Sequence, residues 1–409
     1  MTRIEIPEGS LYGLNNVPYG VFSEGPEGPR RVGVRVGDSV IDLASALRDP
    51  VFAEPTLNRF LAQGPIRWQE IRQRVQQLAA GDVPDRSVHH LGHVTLHLPF
   101  EVADYVDFYA SEHHAGNLGR LFRPDAEPLL PNWKHLPVSY HGRAGTVVVS
   151  GTDIVRPHGQ HKAPSGETPA YGPSVRLDIE AELGFVVGVG SALGDRISVD
   201  DFTKHVFGAV LVNDWSARDI QAWEYVPLGP HLGKSFATSI AAWVVPLDAL
   251  DAARIPLPGQ DPAPPAYLLG GPDWGLDVDL VVEWNGEEVS RPPYRDMYWS
   301  PAQMLAHMTV NGASARTGDL FASGTVSGPG PRQRGAFIEL TWGGKEPVTV
   351  KGEERSFLQD GDEVRITASA PGIGGARIGF GDVVGTIQPA SLSEGATTPD
   401  QAPLTSPAV

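Results

Sequence analysis

Carboxylates recur at three separated places in a pattern that suits one cation. The run VRLDIEAEL, Val175 to Leu183, alternates apolar and charged residues, so Arg176, Asp178, Glu180 and Glu182 share one face of a strand. Residues two apart on a strand lie about 7 Å from each other, close enough for Glu180 and Glu182 to converge on one ion. The apolar run FGAVLV ends in Asn213 and Asp214, and SARDIQAWEY after it has helical spacing. Asp214, Arg218, Gln221 and Tyr225 then form a polar stripe, with Arg, Gln and Tyr where a solvated helix would carry Lys and Glu. A third acid, Asp107, stands in DYVDFY. Taken singly these acids have plain explanations: a solvated strand face, or for Asp214 a helix N-cap. Taken together, carboxylates about 5 Å apart repel by roughly 3 kcal/mol per pair at an effective dielectric near 20, so a cluster takes up protons or a cation. Oxygen ligands in a chain without Cys favour Mg²⁺ or Ca²⁺ over zinc.

His113 and His114 offer a general base near neutral pH. Only one of two neighbours can face the site of Asp107, and periodicity alone leaves both open. His89 and His90, at the start of an apolar stretch, read as structural. Other motifs fail. Gly229 to Ser235 looks like a phosphate loop but has three residues between its glycines, one of them Pro, where four are needed. Gly188, Gly190 and Gly194 miss the dinucleotide spacing by one position. There is no Gly-x-Ser-x-Gly and no His-Glu-x-x-His, so neither a serine elbow nor a zinc helix carries hydrolysis here.

The elements that must position these groups are short. Gly (47) and Pro (37) make up about a fifth of the 409 residues against a usual value near 12%, which predicts many strands and turns. Segments 146–150, 175–187, 206–212, 278–284, 336–342 and 362–368 read as strands, and Pro65 to Gly81 reads as a helix with Trp68, Ile71, Val75 and Leu78 on one face and Gly81 as its cap. The proline-rich Pro256 to Pro272 reads as a surface excursion, and the tail from about Ser391 reads as disordered. The expected fold class is therefore a β-rich α+β chain, with a small unit over 1–99, a catalytic domain over 100–390 and a tail over 391–409. With 49 acidic against 32 basic residues the net charge is -17, which excludes general nucleic-acid binding. No apolar run is long enough for a membrane span, the N-terminus lacks a signal-peptide core, and the absence of Cys fits reducing cytoplasm.

Six blocks, DYVDFYASEHHAGN, PNWKHLPVSYHGRAGTVVVSGT, LDIEAELGFVVG, NDWSARDIQAWEYVPLGPHLGKSF, ASGTVSGP and DGDEVRI, closely resemble the fumarylacetoacetase family in order and spacing over about residues 100 to 388. The first hundred residues resemble the family's small SH3-like barrel domain only loosely. The resemblance implies a mixed β-sandwich or roll for the catalytic domain, and hydrolysis of fumarylacetoacetate, a dianionic diketo acid, to fumarate and acetoacetate at the end of tyrosine and phenylalanine degradation. It places metal ligands on Asp107, Glu180, Glu182 and Asp214, a general base on His114 and its orienting acid on Glu339, expected on the polar face of a strand. Arg218, Gln221 and Lys234 match groups that steady developing negative charge. Substrate contacts are implied for Tyr109, Arg123, Tyr140, Gln221, Tyr225 and Thr325, and Thr238 matches a residue beside a metal ligand. A cytoplasmic homodimer is implied as well. One departure, Ala237 where the family often has Gly, is expected to narrow the pocket.

A β-diketone leaves as a carbon enolate, so its cleavage calls for a Lewis-acidic cation as well as a base that activates water. Two other readings are open. One is a different enzyme of the superfamily: an acylpyruvate hydrolase, an oxaloacetate decarboxylase-like lyase or an isomerase. The other is a catalytically inactive metal-binding scaffold, which has no need for His114, Glu339, Arg218, Gln221 and Lys234 together.

Overall fold

The computed structural model describes residues 1–162 and 168–391, so the tail expected to be disordered lies outside the described residues. One mixed sheet runs through the molecule in the order Val88–His90, Ser39–Asp42, Arg31–Val36, Tyr19–Ser23, Trp243–Pro246, Val206–Asp214, Ala181–Val187, Leu320–Ala322, Tyr105–Phe108 and Ser139–His141. Its two central strands are buried along their whole length, which is why VFGAVLV and LGFVV read as nearly continuous apolar runs. Leu183, Phe185, Ala209 and Leu211 enter the larger core, while Val186, Val210 and Val212 enter the core under the N-terminal segment. A second sheet, ordered Ile154–Val155, Arg377–Gln388, Glu363–Pro371, Asp279–Trp284 and Glu287–Ser290, covers the larger core with a half-buried, alternating face.

The N-terminal strands form part of this continuous sheet, and a closed SH3-like barrel is not established among the described residues. Tyr19–Ser23 pairs along one edge with Arg31–Val36 and along the other with Thr95–His97 and, at its start, with Trp243–Pro246. The expected helix is present as Pro65–Ala80, burying Trp68, Ile71 and Val75, and Gly81 N–H caps Leu78 O. Leu78 itself is only half-buried, and Arg72 and Ala79 complete the buried face instead. The ring of Phe207 packs against Tyr19, Phe60 and Trp68 at centroid distances of 5.4, 5.7 and 5.3 Å. These aromatics bury large areas and tie the first hundred residues to a central strand.

Two expected strands differ. Segment 175–187 is broken: Leu177–Asp178 pairs with Ser216–Ala217, and the long pairing begins at Ala181. Arg176 leaves the shared polar face and donates to Gly343 O at 2.7 Å. Segment 336–342 is not a strand but a single helical turn, Phe337–Leu340. The Asp178 carboxylate accepts from Phe337 N and Ile338 N at 2.7 and 3.0 Å, satisfying amides that open the turn. Glu339 is therefore presented by a helix.

Candidate active site

Asp107, Glu180, Glu182 and Asp214 are buried, and one carboxylate oxygen of each lies within 4.8 Å of the others. The main sheet brings them together. Asp107 lies opposite Tyr140 and beside Ala322, in the strand Tyr105–Phe108. Glu182 stands across from Val212, in the same ladder whose far end is Asp214. Asp214 is the last residue of its strand and no helix cap, because the following helix begins at Arg218. Its Oδ1 accepts from Thr238 Oγ1 at 2.8 Å. Glu180 occupies the break between the two strand pieces, where Glu180 O accepts from Asp214 N at 3.1 Å.

Cations fix part of this charge. Lys234 Nζ donates to Glu180 Oε2 and, at 2.8 Å, to Asp214 Oδ2. Arg218 Nη2 forms an ion pair with Glu180 Oε1 at 2.8 Å. Burial opposes ionisation of Glu180, but Lys234 and Arg218 hold its carboxyl below the usual range. Asp107 and Glu182 have no such partner. Burial, then the neighbouring acids, push both well above the usual carboxylate range. Asp107 Oδ1 and Glu182 Oε1 are buried without any hydrogen-bond partner. At 4.8 Å, each ionised pair repels by about 3 kcal/mol at an effective dielectric of 20. Unpartnered buried carboxylate oxygens in an all-oxygen set fit a hard divalent cation.

His114 projects from the helix Glu112–Phe122, whose first turn is capped by Ser111 Oγ accepting from His114 N at 3.2 Å. Its Nδ1 lies 2.6 Å from Glu339 Oε2, and its Nε2 lies 3.9 Å from Glu180 Oε1. Glu339 also accepts from Asn117 Nδ2 and Ser327 Oγ, both at 2.9 Å. Burial works against its charge, yet His114 and these donors hold its carboxyl below the usual range. With a proton on Nδ1 facing Glu339, Nε2 presents its lone pair beside the acids. His113, on the next helical position, is half-buried and does not line the cavity.

The cavity in front of these groups has a volume of about 540 Å³. Asp107, Glu180, His114, Gln221 and Lys234 line it, together with Tyr109, Arg123, Tyr140, Tyr225 and Thr325. Leu118, Phe122, Leu129 and Trp133 supply apolar wall. Arg123 Nε and Thr325 Oγ1 are buried and unpartnered. Arg218, Glu339, Glu182 and Asp214 stand behind the wall. Arg218 donates through Nε to Asp178 Oδ2 at 2.7 Å and through Nη1 to Gln221 Oε1 at 3.1 Å, so its guanidinium is engaged by the protein. Ala237 is packed in the core and does not line the cavity, so the expected narrowing does not arise there.

Asp178 is a positioning residue that sequence reasoning placed only on a polar strand face. It joins Arg218 to the turn bearing Glu339 by the bonds given above, and it is fully buried. Replacing it by Ala leaves the Nε of a buried guanidinium and two amides without their partner. Asp178→Ala is expected to cost about 3 to 5 kcal/mol, read by denaturant unfolding. A loss below about 1 kcal/mol would contradict this role.

The comparisons with known proteins agree over nearly the whole length. A family model described as fumarylacetoacetase N-terminal matches residues 15–99, and one described as fumarylacetoacetate (FAA) hydrolase C-terminal matches residues 104–388. The chain is 44% identical over 415 residues to a fumarylacetoacetase of Caenorhabditis elegans, covering 95% of this chain and 99% of the relative. It is 44% identical over 418 residues to that of Homo sapiens (96% and 100% covered) and 42% over 412 residues to that of Arabidopsis thaliana (94% and 98%). Among solved structures, a fumarylacetoacetate hydrolase from Exiguobacterium antarcticum superposes with a TM-score of 0.57 at 18% identity, covering 91% of this chain and 99% of the other. A maleylpyruvate hydrolase from Sphingobium sp. SYK-6, in complex with manganese(II) and pyruvate, gives 0.53 at 15% identity with 91% and 100% covered. These two likenesses establish the β-rich fold.

Proposed function

The chain belongs to the fumarylacetoacetase family, and we propose on that premise that it hydrolyses fumarylacetoacetate to fumarate and acetoacetate, the last step of tyrosine degradation. The observation that carries this reading is the convergence of four buried carboxylates with a His114–Glu339 pair beside one cavity, which Asp107, Glu180 and His114 line. Asp107, Glu180, Glu182 and Asp214 would hold Mg²⁺ or Ca²⁺, which supplies Lewis acidity toward the enolate that leaves. His114 Nε2 takes a proton from water, and Glu339 steadies the resulting imidazolium through Nδ1. The water oxygen attacks the carbonyl next to the fumaryl arm, and Gln221 and Lys234 donate to the oxygen that becomes negative. Arg218 serves behind them by fixing Gln221 and Glu180. As the carbon–carbon bond breaks, its electrons pass to the enolate, and the proton held on His114 completes acetoacetate.

Substrate binding falls to Tyr109, Arg123, Tyr140, Gln221, Tyr225 and Thr325. The unpartnered Arg123 Nε suits a carboxylate of the dianion, as charge-assisted bonds are the strong ones. Arg123→Gln is expected to raise KM by about tenfold with kcat changed much less. An unchanged KM would remove Arg123 from the binding site. The units 1–99 and 100–390 are proposed as domains of a cytoplasmic homodimer; no helix among the described residues is long and apolar enough to cross a membrane.

The deciding experiment compares kcat/KM of the purified, divalent-cation-loaded protein for fumarylacetoacetate with that for acylpyruvates. Preference for fumarylacetoacetate supports this reading. Preference for acylpyruvates assigns the chain to another activity of the superfamily, and no turnover of either leaves the inactive scaffold.

A further inference from the structure

A second cavity, of about 400 Å³, lies beside the first and shares Tyr140, Pro230 and Lys234 with it. Its remaining wall comes mainly from the turn His141-Gly142-Arg143 and from His231. That turn is a motif for which the hydrolytic mechanism has no use. Among the described residues no Asp or Glu lines this cavity, although the chain as a whole carries a net charge of -17. Arg143 is its cation without a carboxylate partner among the described residues, Lys234 being shared with Glu180 and Asp214, and the His141 and His231 rings add polar nitrogens, so the cavity suits an anion.

The turn is held in place. Gly142 N donates to Tyr105 O at 2.8 Å, and a Cβ at Gly142 would lie 2.3 Å from the Tyr105 ring. Any larger residue there would push Arg143 away from the cavity. His141 Nδ1 lies 3.0 Å from Asp104 Oδ2, while no ion pair or side-chain hydrogen bond engages the Arg143 guanidinium among the described residues. The exposed Arg143 guanidinium and the exposed His231 imidazole thus line a cavity that abuts the catalytic one.

We propose that this second cavity binds a short-chain carboxylate, one of the two product acids, on a route separated from the substrate cavity by Tyr140 and Lys234. The inference rests on the hydrolytic reading for the identity of the anion, and on the cavity alone for its charge and size. Cleavage makes two anions from one bound dianion, and a basic space adjoining Lys234 lets one of them leave without retracing the substrate's path.

The test is product inhibition of the cation-loaded enzyme by acetoacetate and by fumarate, in wild type and in the double variant Arg143→Gln, His231→Gln, at fixed ionic strength. The variant is expected to raise the inhibition constant of one product by about tenfold, while the other product's constant and the substrate KM stay within about twofold. Equal shifts in all three would mean long-range charge only, and unchanged inhibition by both would empty the cavity of this role; either overturns the proposal. Direct titration of the cation-loaded protein with each acid separates this from the hydrolytic reading. Loss of one carboxylate site in the double variant supports the second cavity even where diketone turnover is absent, and an unaltered number of sites counts against it even where turnover is normal.

Discussion

His114→Asn lowers turnover of fumarylacetoacetate by about 10² to 10⁴, with ion binding and fold retained. The size follows from the position of Nε2, 3.9 Å from Glu180 Oε1 and on the cavity wall, where no other imidazole lies among the described residues. The side chain is 1% exposed and sits on a capped helix, so an amide of similar polarity disturbs the packing little. Asn cannot accept and release a proton near neutral pH, so the loss falls on kcat. His113→Asn is expected to leave turnover near normal, since that ring is off the cavity. Steady-state kinetics, with circular dichroism as the fold check, decide the matter. Near-normal turnover in His114→Asn would require a different base.

Glu182→Gln is expected to abolish ion binding and turnover, yet to stabilise the ion-free protein. Burial raises the folded-state proton affinities of Glu182 and Asp107, and neighbouring acids add to it, Asp107 first for Glu182 and Asp214 first for Asp107. An acid whose pKa is raised on folding costs stability once pH exceeds its unfolded value, and the cost grows until the folded pKa is reached. The ion-free wild type should therefore lose stability as pH rises from about 4.5 toward neutrality, and an added divalent ion should restore it by mass action, about 2.7 kcal/mol at a hundredfold excess over Kd. Gln at 182 keeps an acceptor for Gly324 N, now at 3.0 Å from Glu182 Oε2, and removes one of the mutually repelling charges. The ion-free variant should gain about 1 to 3 kcal/mol at pH 8 relative to ion-free wild type. Thermal unfolding at pH 5 and pH 8, with and without ion, reads both effects. A variant less stable than wild type without ion, at pH 8, would mean that the four acids do not repel one another as their spacing implies.

The catalytic half of this molecule was legible in its residues because chemistry there uses polar groups at positions that regular strands would fill with apolar ones. Alternation over 175–183 and the acid at the end of FGAVLV pointed to Glu180, Glu182 and Asp214 before any pairing was known. Periodicity could not bring Asp107 to them, since that depends on the parallel pairing of Tyr105–Phe108 with Leu320–Ala322, more than two hundred residues away in the chain. Nor could it choose between His113 and His114, a choice set by where helix Glu112–Phe122 docks against Glu339. The helical turn at Phe337–Leu340 reads as a strand in the sequence because the carboxylate that starts it, Asp178, is about 160 residues distant. The barrel expected for the first hundred residues is likewise not established by local pattern, because one edge of Tyr19–Ser23 is shared between Thr95–His97 and Trp243–Pro246, a strand of the larger unit. Local patterns thus mark the clustered acids and the His113-His114 pair, the family resemblance supplies Glu339, Lys234 and the substrate contacts, and long-range pairing decides their partners.

One titration bears most directly on the proposed chemistry. The protein is stripped of divalent ions by exhaustive chelation, and turnover of fumarylacetoacetate is followed as Mg²⁺ or Ca²⁺ is returned, with bound ion counted per chain. Turnover should be absent at the start and rise with occupancy to a plateau at one ion per chain. Full turnover by the stripped protein would refute a cation gathered by Asp107, Glu180, Glu182 and Asp214.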